Sequence, residues 1–324
     1  MGYQVFAFVY FRGFVYFYPI EPFMTAAIHL DNVSKTYGNF TAVDHLSFTV
    51  RQGDIYGFLG PNGSGKSTTL RMMMSLIQPS AGEIFLFGHS LKENRKAIMQ
   101  KIGCIIEKPD FYTYLSAKEN LMLFARASEL SLRKADIDKL LEQVGLQGRG
   151  SDKVKTFSHG MKQRLGLAQT LIHNPELIIL DEPNTGLDPQ GIIDLRNLIY
   201  SLNREHGKTI LFSSHILSEV QTLCTNMIVI HHGKTVVQGK VDELLSTETV
   251  TVRLELAQPE SGIAFIRQSA WHAYLQEQGD ECRFAMPKTE ISLLVRALSE
   301  AGIAINRIDY KNQLEEYFLK ITQH

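Results

Sequence analysis

The 324-residue sequence is poor in cysteine and has no long apolar run. Its three cysteines, Cys104, Cys224 and Cys282, follow no metal-ligand spacing. We therefore expect reduced thiols, as in a cytosolic protein. The sequence has no apolar stretch of 18 or more residues, so hydropathy predicts no transmembrane helix. Any role at a membrane would have to depend on a partner.

Excess charge of either sign is also absent. Lys and Arg number 33 and Asp and Glu number 34, which gives a formal net charge of −1. This balance argues against a protein whose main contacts neutralise a phosphate backbone, so we expect no nucleic-acid partner. With 44% hydrophobic residues, the chain can bury a sizeable core, and its length favours about two domains.

The N-terminal segment differs from the rest in composition. Residues 5–18 contain eight aromatics, but no Lys or Arg precedes them, which makes a poor signal peptide. Arg12 is the only basic residue among them, unlike the Lys- and Arg-rich polar faces of most membrane-surface helices. We interpret residues 1–24 as an unstructured extension, or as one that precedes a true start at Met24.

The hydrophobic pattern changes along the chain and predicts two domains. Residues 26–88 alternate as strands and hairpins, and about 89–172 have helical periodicity. Strands and helices then alternate to 245, which favours a parallel α/β sheet. After a linker at 245–249, a new strand and two helical patterns indicate a small α+β domain. We therefore assign one domain to 25–246 and a second to 247–324.

A glycine-rich phosphate loop is the strongest chemical signal. The sequence GPNGSGKS fits G-x-x-x-x-G-K-[ST] and lies between an apolar strand and a helix. In such a loop, backbone N–H groups surround a phosphate, the lysine reaches the β- and γ-phosphates, and the serine hydroxyl serves Mg²⁺. The predicted ATP-binding residues here are Gly60, Pro61, Asn62, Gly63, Ser64, Gly65, Lys66, Ser67 and Thr68.

Two adjacent carboxylates follow a second apolar strand. The sequence LIILDE ends in Asp181 and Glu182, and open α/β sheets bind ligands at the carboxyl ends of their strands. Asp181 can hold Mg²⁺ through water, and Glu182 can polarise the water that attacks the γ-phosphate.

Six motifs in order resemble those of the ATP-binding-cassette (ABC) ATPases. Residues 157–164 (FSHGMKQR) match the family signature, just before the Asp-Glu strand. The other matches are Tyr37, the phosphate loop, Glu107 at the Q-loop position, the D-loop at 186–188, and His215 at the switch position. The resemblance covers residues 26–245. It implies a P-loop NTPase core with an antiparallel β subdomain and an α-helical subdomain, about 89–172.

The resemblance also implies a role for each residue. Tyr37 would stack on adenine, Glu182 would act as catalytic base, and His215 would contact the γ-phosphate. The Mg²⁺ residues would be Ser67, Glu107 and Asp181. Two cassettes would pack head to tail as a homodimer, with Asp188 reaching across. Each ATP would then also contact four signature residues of the other cassette, Ser158, His159, Gly160 and Met161.

Two residues depart from the common family pattern. His159 replaces the first glycine of Ser-Gly-Gly, and Glu107 replaces glutamine. The acidic Q-loop, the signature and the C-terminal tail are similar to ABC-2-type exporters of the bacitracin-resistance and lantibiotic-immunity kind. This implies an ATP-hydrolysing subunit on the cytoplasmic face of the membrane, bound to a separate permease through residues 108–114.

Two other classes remain open at this point. A permease-free ABC ATPase could act on ribosomes or DNA, but such proteins usually carry two cassettes, coiled coils or zinc cysteines. The sequence has one cassette, no long heptad pattern and no Cys-x-x-Cys. The second alternative, an ATP-sensing module that does not hydrolyse, is suggested only by His159.

Overall fold

The computed structural model describes residues 6–11, 14–19, 26–107, 109–245, 249–277, 282–312, 314–316 and 318. The chain forms two compact units, Met1–Gln238 and Gly239–His324. The predicted boundary at 246/247 falls within the second unit. Residues 20–25 before the first domain, Lys108, residues 246–248 of the linker and the last residues, 319–324, lie outside the described residues. None of the described helices is both long and apolar enough to span a bilayer.

The N-terminal segment contains a hairpin, whereas one of the two interpretations of its sequence is an unstructured extension. Strand β1 (Phe6–Phe11) pairs antiparallel with β2 (Phe14–Pro19) as a separate two-stranded sheet. Aromatic and β-branched residues dominate both strands, and these residue types favour extended chain. The aromatic composition that made the segment unusual is therefore also what favours strands there.

Four strands, two before and two after the phosphate loop in the sequence, form an antiparallel sheet. Its order is β4-β3-β6-β7. The strands are β3 (Ala26–Tyr37), β4 (Phe40–Arg51), β6 (Ala81–Leu86) and β7 (His89–Ser90). Apolar residues of β3 and β4, among them Ile28, Leu30 and Phe48, are buried in the core of the first unit. The sheet thereby packs against the elements that carry the phosphate loop.

A six-stranded sheet forms the centre of the first unit, in the order β12-β11-β5-β10-β9-β8. The strands are β5 (Ile55–Leu59), β8 (Ile102–Ile105), β9 (Leu177–Asp181), β10 (Thr209–Ser214), β11 (Asn226–His231) and β12 (Lys234–Lys240). The pairs from β8 to β11 are parallel, which confirms the predicted α/β sheet. Every residue of β5, β9 and β10 is buried, as expected for strands covered on both faces.

Strand β8 lies within the region, about 89–172, where the sequence pattern predicts an α-helical subdomain. It pairs with β9, which lies far along the chain. A four-residue apolar run does not distinguish a strand from a buried helix turn. Its pairing partner, which the sequence cannot identify, decides the conformation.

Seven helices belong to the first unit within the described part of the chain. They are α1 (Lys66–Met73), α2 (Leu91–Met99), α3 (Ala117–Ala127), α4 (Lys134–Gln143), α5 (His159–Leu171), α6 (Pro189–Arg204) and α7 (Leu217–Leu223). Capping explains several starts. Ser116 and Glu119 form a reciprocal capping box at α3, and Ser158 and Asp188 cap α5 and α6.

The second unit is the small α+β domain that the sequence predicts. Its elements are α8 (Val241–Leu245), β13 (Thr249–Leu256), α9 (Pro259–Gln268), β14 (Leu275–Glu277), β15 (Cys282–Pro287), α10 (Glu290–Glu300) and β16 (Ile305–Asn312). The sheet is antiparallel in the order β14-β15-β13-β16. Val252, Leu254, Phe284, Leu294 and Leu298 are fully buried in its core.

The three cysteines are free thiols. Burial raises the pKa of each thiol, because it disfavours the charged thiolate. None of them is therefore a reactive nucleophile at neutral pH.

Replacing Phe284 tests the core of the second unit. Phe284→Ala should destabilise this unit by about 3–5 kcal/mol, because the cavity forms at a fully buried site. Hydrogen exchange on the full chain should then show lower amide protection in β13 and β15. Leu293→Ala is the control, since Leu293 is 52% exposed. Equal protection in both variants would contradict this account of the core.

Candidate functional site

The phosphate loop joins β5 to α1 through left-handed backbone. Gly65 has φ +105° and occupies the N-cap of α1. A Cβ there would lie 2.6 Å from the carbonyl oxygen of Ala42. Position 65 therefore requires glycine, both for its conformation and for the close approach of β4.

Lys66 begins α1 and points back into its own loop. Its side chain is only 5% exposed, and Nζ donates to the carbonyl oxygens of Gly60 (2.6 Å) and Pro61 (3.1 Å). Nζ also lies 3.2 Å from Oε1 of Glu182. The ammonium is thus held at the loop by two carbonyls and one carboxylate, with its charge compensated within the site.

Asp181 connects the phosphate loop to β10. Ser67 Oγ donates to Asp181 Oδ2 at 3.0 Å, and Ser213 Oγ donates to Asp181 Oδ1. Ser213 lies opposite Asp181 in the parallel register of β9 and β10. Its hydroxyl also accepts from the backbone N–H of Glu182 at 3.1 Å. Ser213 therefore orients both carboxylate residues. It is not among the residues predicted from the sequence, because only the register of β9 and β10 places it beside Asp181.

Glu182 and His215 meet at the ends of β9 and β10. Glu182 has φ +45°, and its Oε2 lies 2.8 Å from Nδ1 of His215. Because a carboxylate only accepts, Nδ1 must carry the hydrogen. Glu182 thus has one oxygen toward Lys66 and the other toward His215, and all three groups lie at one end of the parallel sheet.

Glu107 is bound by a partner that the sequence analysis did not name. It has φ +68°, and its Oε1 accepts from Nη2 of Arg71, in the last turn of α1. Of the three predicted Mg²⁺ residues, Ser67 and Asp181 are hydrogen-bonded to each other, whereas the carboxylate of Glu107 is paired with Arg71. Both side chains of this pair are substantially exposed, so the ion pair contributes little to stability.

Tyr37 ends β3 and keeps 49% of its surface exposed. Nζ of Lys35 lies 5.1 Å from the centre of its ring, within range of a cation–π interaction. The large exposed fraction leaves ring surface free for a planar ligand.

The signature and the D-loop form a second cluster around two helix N-termini. Ser158 Oγ accepts from Met161 N at 3.2 Å, and Asp188 Oδ1 accepts from Gly191 N at 3.0 Å. A cavity of about 300 Å³ is bordered by Ser158, Gly160, Met161 and Asp188. The hydroxyl hydrogen of Ser158 remains able to donate, because capping uses only an oxygen lone pair. The side chain of His159 contacts the carbonyl oxygen of Thr185.

The residues of the loop suit a triphosphate and a divalent ion. Ser64 Oγ is buried and, among the described residues, has no hydrogen-bond partner. No group of three or more His, Cys, Asp or Glu side chains in the described residues forms a self-contained metal site. One hydroxyl and one adjacent carboxylate suit a divalent ion that takes its remaining oxygen ligands from phosphates and water. A larger cavity, about 550 Å³, lies at α1, α2 and β6 and includes none of the predicted site residues.

Comparisons with known proteins agree with this geometry. A profile of the ABC transporter family matches residues 43–185. Bacitracin transport ATP-binding protein BcrA from Bacillus licheniformis is 41% identical over 300 residues, which cover 92% of this chain and 98% of that protein. Nod factor export ATP-binding protein I from Burkholderia lata is 33% identical over 304 residues, 92% and 97% of the two chains.

Solved structures show the same fold. The cbiO1 protein from Clostridium perfringens, part of the ABC transporter complex cbiONQ, aligns with a TM-score of 0.63 at 23% identity, over 77% of this chain and 97% of that one. A dimeric post-hydrolysis ATP-binding cassette bound to ADP and Pi aligns with a TM-score of 0.60 at 25% identity, over 66% and 98%. The predicted P-loop NTPase fold of the ABC ATPases is therefore confirmed.

Replacing Ser213 tests the hydrogen bonds beneath the two carboxylates. Ser213→Ala leaves Asp181 Oδ1 without its donor and the partly buried N–H of Glu182 without its acceptor, a loss of about 1–3 kcal/mol for groups left unpaired. We expect ATP hydrolysis by the purified chain to slow about tenfold or more. Ser201→Ala is the control, because Ser201 also bonds a carboxylate, Glu205, but on the surface of α6. Equal rates in the two variants would contradict a role for Ser213.

Proposed function

We propose that this chain powers export through a separate membrane permease. The chain belongs to the ABC transporter family and is an ATP-binding, ATP-hydrolysing subunit. The observation that carries the hydrolytic part of this proposal is the convergence of Lys66, Asp181, Glu182 and His215 at one end of the central sheet. Nothing in the described residues favours the permease-free or non-hydrolysing alternatives.

The phosphate loop would bind the triphosphate of ATP. Backbone N–H groups of residues 62–68 would surround the β-phosphate, and Lys66 would move from Glu182 and the loop carbonyls to the β- and γ-oxygens. Tyr37 would stack on the adenine with its exposed ring surface. The buried Lys66 is already desolvated, which favours exchange of one anionic partner for another.

Mg²⁺ would be held by Ser67 and by Asp181, the latter through water. The ion would neutralise charge on the phosphate oxygens. Arg71 engages Oε1 of Glu107, so Oε2 is the oxygen with which Glu107 could join the ion while that pair persists. The acidic Q-loop position would then link Arg71 of α1 to the bound ion.

Glu182 would polarise the attacking water, with His215 orienting it. In the structure, Glu182 Oε1 is paired with Lys66. The γ-phosphate would give Lys66 a new partner and leave this oxygen open to the attacking water, while Oε2 stays with His215.

Two copies would bind two ATP molecules head to tail. The signature residues Ser158, His159, Gly160 and Met161 would contact the ATP bound by the other copy, and Asp188 would reach across. The capping geometry of Ser158, which leaves its hydroxyl hydrogen free, supports such a contact. The dimeric cassette bound to ADP and Pi provides a precedent within the same fold.

The permease partner would be of the ABC-2 type and would hold the chain at the cytoplasmic face of the membrane. Residues 109–114 supply a contact surface, in which Tyr112 and Tyr114 are 47% and 65% exposed and stack edge-on at 5.9 Å. The names of two relatives, bacitracin transport and Nod factor export, support export as the direction. The higher identity to the former favours a peptide antibiotic of the bacitracin or lantibiotic class as cargo.

The substitution Glu182→Gln tests the proposed base. The amide cannot accept the proton, so ATP hydrolysis should fall about 100-fold or more. ATP should then remain bound and hold the dimer closed, which size-exclusion chromatography with light scattering detects. Glu205→Gln, on the exposed end of α6, is the control and should hydrolyse ATP at the parental rate. An unchanged rate in Glu182→Gln would remove the role of Glu182.

The substitution Glu107→Gln separates ATP binding from export. It breaks an exposed ion pair, so nucleotide affinity and stability should change little. Export should fall, measured as loss of peptide-antibiotic resistance in cells that express the chain with its permease, because the charge beside the contact surface is lost. Glu142→Gln, exposed on α4, is the matched control. Full resistance in Glu107→Gln would contradict a special role for this carboxylate.

A further inference from the structure

The side chain of His159 is bonded to a loop of its own chain. His159 is the first residue of α5, and its Nε2 lies 3.0 Å from the carbonyl oxygen of Thr185. A carbonyl oxygen only accepts, so Nε2 must carry the hydrogen. The glycine common at this position in the family has no side chain with which to make this bond.

Thr185 belongs to residues 182–188, here called the base loop, which begins with Glu182 and ends with Asp188. The loop closes on itself through two turns: Thr185 N donates to Glu182 O and Leu187 N donates to Asn184 O, each at 3.1 Å. Thr185 is therefore linked by one hydrogen bond to Glu182, while Asp188 caps the next helix. A group that holds Thr185 is therefore one hydrogen bond removed from the backbone of Glu182.

Packing around the imidazole reinforces this contact. Gly186 has φ +79°, and a Cβ there would lie 3.1 Å from His159 Nε2. The next residue of α5, Gly160, faces the side chain of Leu187, whose Cδ2 would lie 3.6 Å from an added Cβ. Two successive residues at the start of α5 therefore lie along three successive residues of the base loop.

We infer that His159 is a positioning residue that ties the signature to the base loop of the same chain. This inference rests on the head-to-tail dimer of the proposed function. In that dimer, the signature meets the ATP bound by the other copy, whereas Glu182 acts on the ATP of its own. The bond from His159 to Thr185 thus links the two ATP sites, and such a link is expressed as cooperativity between them.

The size of the effect follows from the exposure of the bond. His159 is exposed, so water competes for Thr185 and the net contribution of the hydrogen bond is modest. Its loss should change turnover a few-fold rather than abolish it. This distinguishes a positioning residue from the base itself.

The tautomer of His159 tests the bond directly. In the full-length chain labelled with ¹⁵N-histidine, the resonances of His159 are assigned by their disappearance in His159→Gln. We expect Nε2 to carry the hydrogen in the neutral ring. A ring with hydrogen on Nδ1 and none on Nε2 would overturn the inference, whatever the activity of the protein.

Kinetics test the coupling. His159→Leu should lower the turnover number about 3- to 10-fold and reduce the cooperativity of ATP hydrolysis. His159→Gln should restore both, because its amide nitrogen can donate from a position similar to Nε2. His206→Leu, which removes an exposed histidine elsewhere, is the matched control. Parental kinetics in His159→Leu, or no rescue by His159→Gln, would overturn the inference.

Different results would contradict the proposed function and the role of His159. A parental chain that neither hydrolyses ATP nor dimerises with it would contradict the proposed function, while the tautomer would still decide the His159 bond. A parental chain that hydrolyses ATP cooperatively, with His159→Leu equal to it, would remove the inference and leave the function intact.

Discussion

The parallel pairing of β9 and β5 on either side of β10 is the constraint on which the site depends. It brings three strand ends to one edge, and at that edge Ser213 lies beside Asp181 in register. Ser67 reaches the same carboxylate from the first turn of α1. A one-residue shift of β9 against β10 would separate Asp181 from Ser213, because successive side chains of a strand point to opposite faces. A shift of β5 against β10 would displace Ser67, which follows β5, from the same carboxylate. The buried sheet therefore sets the geometry of the chemistry.

The pairing of charged groups distinguishes the site as it stands from the site that would bind ATP. Lys66 is buried, and a buried cation without a partner is costly, so the phosphate loop and Glu182 compensate it together. The same pairing engages Glu182 Oε1 until a stronger anion arrives. Glu107 repeats the arrangement at the surface, where Arg71 engages its Oε1. Both acidic residues are thus paired with cations of α1, Glu182 with Lys66 at its start and Glu107 with Arg71 in its last turn.

Much of this protein was predictable because its signals are local. The phosphate loop needs consecutive glycines before a helix, the Asp-Glu pair needs one buried strand, and the caps of α5 and α6 need single residues at helix starts. The predictions that failed involve distant partners. Strand β8 is too short to identify without β9, and Ser213 and Arg71 matter only through residues far along the chain. The N-terminal hairpin is an exception, because its aromatic and β-branched residues favour strands without any distant partner.

By itself, the sequence determined the class of fold and the ATPase chemistry of the chain, and it predicted most of the groups that would carry that chemistry. These follow from residue types at short spacings, which local backbone geometry requires. Tertiary structure alone decided which groups touch: Glu182 between Lys66 and His215, Glu107 with Arg71, and His159 with Thr185. The reason is physical. A hydrogen bond or ion pair depends on distances of about 3 Å, and such distances between remote residues are set by the packing of the sheet and helices, not by spacing along the chain.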